Sequence, residues 1–101
     1  MGNYFNIIIE DSFDKSLNYN LYFYEQNFHN FYSKIVKQTY SSLNILKSFP
    51  YIYPIFFKTS ENQYRRIILN NYFIIVYFIK NKTVHVVYFF DGRKNLFNNL
   101  Y

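Results

Sequence analysis

FIIVYFIKNKTVHVVYFFDGRKN, running from Phe73 to Asn95, decides the fold of this chain. Tyr72 to Ile79 is a continuous apolar run, too short for a core helix and rich in the β-branched and aromatic residues that suit a buried strand. Lys80-Asn81-Lys82 supplies a turn, and Thr83 to Phe90 reads as a second strand closed by Asp91-Gly92. In that second strand Val84, Val86, Tyr88 and Phe90 alternate against His85, Val87 and Phe89. Both sets are largely apolar, so both faces of the strand are expected to be covered.

Working back toward the N-terminus, Asn70-Asn71 suits a tight turn with positive φ, and Tyr64 to Leu69 is the strand before it. Pro50 ends the preceding helix and Pro54 is expected to keep the next stretch irregular. From about Phe31 to Lys47, Tyr32, Ile35, Val36, Thr39, Leu43 and Leu46 fall on one helical face. Phe13, Leu17, Leu21, Tyr24 and Phe28 form another such stripe, in a helix capped by Asp11 or Ser12, with Asn27 to Asn30 as the break between the two. Tyr4 to Glu10 is a short Ile-rich strand. The order is β-α-α-β-β-β. It predicts an α+β domain, residues 1–101, with a small antiparallel sheet and a helical hairpin packed on one face.

Composition narrows the chemistry. The chain has 101 residues with no Cys, which excludes disulfides, thiolate metal sites and cysteine nucleophiles. With two His and six scattered acids, neither a metal site nor a cofactor is expected. Asn, Ile, Lys, Tyr and Phe dominate while Ala is absent, a pattern of AT-rich codons, so the 26 Tyr and Phe serve first as bulky apolar filler. Charge is uneven: the first 30 residues set Lys15 against four acids, and the rest holds ten of the eleven cations. A net charge of +5 concentrated in this way points to an anionic partner. No apolar run is long enough to span a bilayer and no signal-peptide pattern opens the chain. The expectation is a cytoplasmic protein with no membrane partner.

The leading strand, the hairpin ending in Leu46-Lys47-Ser48-Phe49-Pro50, and the meander ending in Phe89-Phe90-Asp91-Gly92-Arg93-Lys94-Asn95 resemble the RelE/ParE superfamily of bacterial toxins. The resemblance runs from about Tyr4 to Asn95 and is sharpest from Phe73 onward. It implies the toxin of a type II toxin–antitoxin (plasmid stabilisation) pair, held inactive by an acidic, partly disordered antitoxin. RelE-like members cleave messenger RNA in the ribosome without metal, whereas ParE-like members bind DNA gyrase and carry out no hydrolysis.

For the nuclease branch the meander offers Arg65, Arg66, His85 and Arg93 as catalytic candidates; the resemblance implies Arg65 and Arg93, whereas Tyr101 lies a little farther from Arg93 than the late tyrosine of those enzymes. Chemically these would act as a base toward the 2′-hydroxyl and as cations facing the phosphorane charge. Ile74 occupies the place of an arginine those enzymes carry, which favours the ParE-like branch. Arg65 and Arg66 face opposite sides of their strand, so one of them at most joins a shared site. For target binding the candidates are Arg93, Lys94, Leu96 and Phe97.

Overall fold

The computed structural model describes residues 4–94. The chain forms β1 (Asn6–Ile9), α1 (Asp11–Asn27), α2 (His29–Ile45), β2 (Ile55–Lys58), β3 (Gln63–Leu69), β4 (Phe73–Lys80) and β5 (Thr83–Asp91). These make one five-stranded sheet in the order β1-β5-β4-β3-β2. The layout is the expected α+β one, with two differences. A short extra strand, β2, pairs antiparallel with β3, and β1 pairs parallel with β5, so the sheet is mixed. Pro54 precedes β2 rather than preventing it, because the sheet edge needs no N–H from the residue before the strand.

The helix boundaries also differ from the sequence reading. The α1 N-cap is Glu10, with no side-chain hydrogen bond, while Asp11 and Asp14 lie in the first turn against the positive end of the helix. Only Phe28 (φ −140°, ψ 69°) separates the two helices. His29 and Asn30 are exposed on the first turn of α2, so their polarity marked a helix surface rather than a loop.

Both hairpin turns fall where expected, and the positive φ expected at Asn70-Asn71 recurs at Asn81-Lys82. Asn70 and Asn71 have φ of 49° and 71°, and Asn81 and Lys82 have 52° and 64°. Two successive positive φ values match the right-handed twist of a hairpin, and Asn tolerates them best after Gly.

The core lies between the hairpin and one face of the sheet. Phe13, Leu17 and Leu21 of α1 and Ile35, Leu43 and Leu46 of α2 meet Ile67, Leu69, Phe73, Ile75, Tyr77, Val84, Val86 and Phe89. Each such side chain, fully buried, is worth roughly 1.5–3 kcal/mol.

In β5 the buried set switches parity, from Val84 and Val86 to Phe89 and Asp91. The cause is a β-bulge: Tyr77 pairs with Val86 and Val76 with Tyr88, so Val87 has no partner on β4. The uniform alternation read from sequence therefore holds only on each side of Val87. One face of β5 is covered by α1, and the other carries His85, Tyr88 and Phe90 on the open side of the sheet.

The α1–β5 contact is hydrogen-bonded as well as apolar. Ser16 Oγ accepts the Phe89 N–H at 2.9 Å and donates to the Phe13 carbonyl at 3.0 Å, both in buried surroundings. Replacing Ser16 by Ala orphans a buried N–H, so Ser16→Ala is expected to cost about 1–3 kcal/mol in urea unfolding. An unchanged midpoint would show that water replaces the hydroxyl.

Candidate functional site

With both helices on one side, no described helix covers the other face of the sheet. A row of rings crosses it. Phe57 of β2 stacks on Tyr64 of β3 (4.6 Å, 14°), Tyr64 meets Phe78 of β4 edge-on (5.3 Å), and Phe78 stacks on His85 of β5 (4.7 Å, 12°). The row ends where His85 Nδ1 lies 2.9 Å from Glu10 Oε2, at the junction of β1 and α1. Beside it, the Arg66 guanidinium sits over the Phe56 ring at 5.1 Å, and Phe56 stacks on Phe90 at 6.4 Å. Phe56 reaches this face because the β2–β3 register shifts between Ile55 and Phe57. Ile8, Ile68 and Tyr88 complete an apolar surface with one guanidinium and one imidazole in it.

Arg65 stands on the opposite side. It pairs with Tyr77, whose side chain is fully buried under the helices, whereas His85 pairs with Phe78 on the open face. Its Nη1 donates to the Tyr53 carbonyl at 2.6 Å and the Tyr51 carbonyl at 3.3 Å. The guanidinium also lies 5.3 Å from the Tyr51 ring centroid. Arg65 thus holds the segment that enters β2.

Arg93 lies past the far end of β5. Its Nε and Nη2 bind Asp91 Oδ1 and Oδ2 at 3.0 and 2.7 Å, Nη2 also donates to the Tyr24 hydroxyl at 2.8 Å, and the guanidinium covers the Tyr72 ring at 3.7 Å. Asp91 is buried, with 2% exposure, and also accepts the Arg93 N–H. Burial pushes the Asp91 carboxyl upward, but the hydrogen bonds and charge of Arg93, with Lys94, outweigh it and hold the carboxyl below its ordinary value. The hydrogen bond to Asp91, then that to Tyr24, raises Arg93 still further above its already high value.

Gly92 makes this corner possible. Its N–H reaches the Tyr72 carbonyl at 2.7 Å, and a Cβ there would sit 3.0 Å from that oxygen and 3.1 Å from Ile74 Cδ1. Exposed Lys94 follows, its N–H bonded to the Asp91 carbonyl at 3.0 Å. Leu96, Phe97 and Tyr101 lie outside the described residues.

The structure does not bring Arg65, His85 and Arg93 together. Two of them are on opposite faces, and the third is eight residues beyond His85, about 25 Å at strand spacing. Arg66 shares the open face with His85, and the acid that meets His85 is Glu10; the sequence named Arg66 only as the alternative to Arg65 and did not point to Glu10. The signal for Arg66 was present, since Arg65, Ile67 and Leu69 share parity and the last two are core residues. Glu10 pairs with a residue 75 positions away and left no local trace.

Among the described residues, no group of three or more His, Cys, Asp or Glu is placed to hold a metal, and no helix is long and apolar enough to cross a membrane. No protein-family model matches the chain, and no curated protein matches it in sequence.

The Asp91–Arg93 pair has a pH signature. A carboxyl whose folded pKa is depressed adds stability above the ordinary value of 3.8 and loses it as pH falls through the folded value. Asp91→Asn is therefore expected to be less stable than wild type at pH 7, with the gap narrowing below pH 4. Thermal melts between about pH 2 and 7 measure this. A constant gap would assign the loss to packing alone.

Proposed function

We propose that this protein is the toxin component of a type II toxin–antitoxin pair, of the ParE-like kind. It inhibits growth by binding a cellular target such as DNA gyrase rather than by cutting RNA. The fold resembles that of the superfamily in its order of elements, with a helical hairpin on one sheet face and the other face open. The observation that carries the non-nuclease reading is the dispersal of Arg65, His85 and Arg93, two of which are bound into the structure, Arg65 through two side-chain hydrogen bonds and Arg93 through three. Metal-free RNA cleavage needs its acid, base and cations within hydrogen-bonding reach of one phosphodiester. Binding needs only a surface, and the open face offers one. The +5 charge suits an acidic antitoxin that folds on binding.

A RelE-like, ribosome-dependent endonuclease is the second reading. It is favoured by the Glu10–His85 pair, an acid–base couple on the same open face as Arg66. On that reading Arg66 and His85, rather than Arg65 and Arg93, carry the chemistry.

Purified protein is expected to inhibit gyrase supercoiling of relaxed plasmid, and its induction without antitoxin to arrest growth. Deleting residues from Leu96 onward is expected to weaken both effects more than His85→Ala does. Full toxicity after the deletion, with loss in His85→Ala, would reverse the assignment.

A further inference from the structure

In the segment between α2 and β2, residues 46–54, Leu46 and Pro50 are buried and Tyr53 packs on the core, while Phe49, Tyr51 and Ile52 face water. Tyr77 donates its hydroxyl to the Pro50 carbonyl at 2.7 Å from a fully buried position. Arg65 takes the Tyr51 and Tyr53 carbonyls, the Arg66 N–H takes that of Pro54 at 3.3 Å, and the Phe49 N–H binds the Ile45 carbonyl at 3.0 Å. Phe49 and Tyr51 are nevertheless each 60% exposed and Ile52 57%. Buried Leu46 and Pro50, with Tyr53 against Tyr77, help these bonds to fix the turn, but none of them accounts for three large apolar tips left in solvent. A cluster of such tips marks a contact site, and its rigidity lowers the ordering cost of contact.

Lysines border the turn. The Phe5 ring meets the Tyr51 ring edge-on at 6.0 Å, the Lys82 ammonium lies 5.2 Å from the Phe5 ring centroid, and the Phe5 N–H binds the Lys47 carbonyl at 2.8 Å. Lys47 and Lys82 are thereby placed beside the exposed tips, and both are themselves exposed. Among the described residues neither lysine is in an ion pair with an acid.

We propose that this turn contacts an anionic lipid bilayer. Phe49, Tyr51 and Ile52 enter the boundary between headgroups and acyl chains, and Lys47 and Lys82 meet the lipid phosphates. A second copy of the chain is disfavoured because it would bring the same cations face to face. A protein partner is disfavoured because protein interfaces are depleted in Lys, whose hydrated ammonium suits a headgroup layer, and because a projecting turn needs a pocket in the partner that a bilayer does not have to supply. Base stacking gives no role to Ile52, which has no π face. Surface contact needs no spanning segment, so it departs from the expectation of no membrane partner without requiring a transmembrane stretch. It stands independently of the toxin reading.

The chain has no Trp, so Phe49→Trp introduces a single reporter. On vesicles of phosphatidylcholine with about 30 mol % phosphatidylglycerol, its emission is expected to shift to the blue and be quenched by brominated acyl chains. Phe49→Ser/Ile52→Ser is expected to lower the partition of the full chain into these vesicles by about tenfold or more, and Lys47→Gln/Lys82→Gln to lower it comparably at low salt. The serine positions are exposed, so the melting temperature should hold. If that variant unfolds, the Trp reporter decides alone. Unchanged Trp emission on vesicles would overturn the proposal. So would a folded serine variant that binds as well as wild type, or Trp emission that shifts equally on polyglutamate or poly(U).

Discussion

The longest strand of the sheet outruns its neighbour, and the rest of the structure is arranged around that mismatch. β1 has four residues and its pairing with β5 stops at Val86, while β5 continues to Asp91. Beyond Val86 the outer edge of β5 would present unpaired N–H and C=O groups to a nonpolar layer, at a cost of the order of 1–3 kcal/mol each. α1 takes the place of the missing strand. Ser12, Ser16 and Asn20, one helical turn apart, bind in succession the Val87 carbonyl, the Phe89 N–H, and the Phe89 carbonyl together with the Asp91 N–H. Two of these three residues are buried, and among the described residues no buried side-chain polar atom lacks a partner.

This substitution also sets which face of the sheet stays open. Because α1 lies along β5, the helical hairpin covers one face of the sheet and leaves the opposite face with its row of rings. Because β5 is carried out to Asp91, the carboxylate that orders Arg93 ends beside Tyr24 and Tyr72, at the far end from His85. The bulge at Val87 is part of the same arrangement. It frees the carbonyl that Ser12 takes and turns Tyr88 outward, so a local irregularity decides which side chains lie on the open face.

Much of this was legible in the sequence. The three-stranded meander could be read from period-two runs and asparagine turns, and the helical hairpin from its apolar stripes, because those signals are local. What escaped depended on longer-range pairing. β2 has only four residues, follows a proline and carries an irregular register, so no alternation marks it. The parallel placement of β1 follows from where the hairpin returns the chain, not from any residue in the strand. Arg65 and Arg93 read as free cations because carbonyl and carboxylate partners are invisible until the fold is known. The open face was obscured because Tyr and Phe occur throughout this composition and do not by themselves distinguish core from surface.

On the proposed function the protein acts through a surface, with two of its three arginines committed largely to holding backbone and carboxylate in place. Mapping messenger RNA 5′ ends within minutes of inducing the chain alone in a bacterial host tests that most directly. The account predicts growth arrest with no new ends inside translated frames. New in-frame ends that vanish in an Arg66→Ala/His85→Ala variant would contradict it and assign the open face to catalysis.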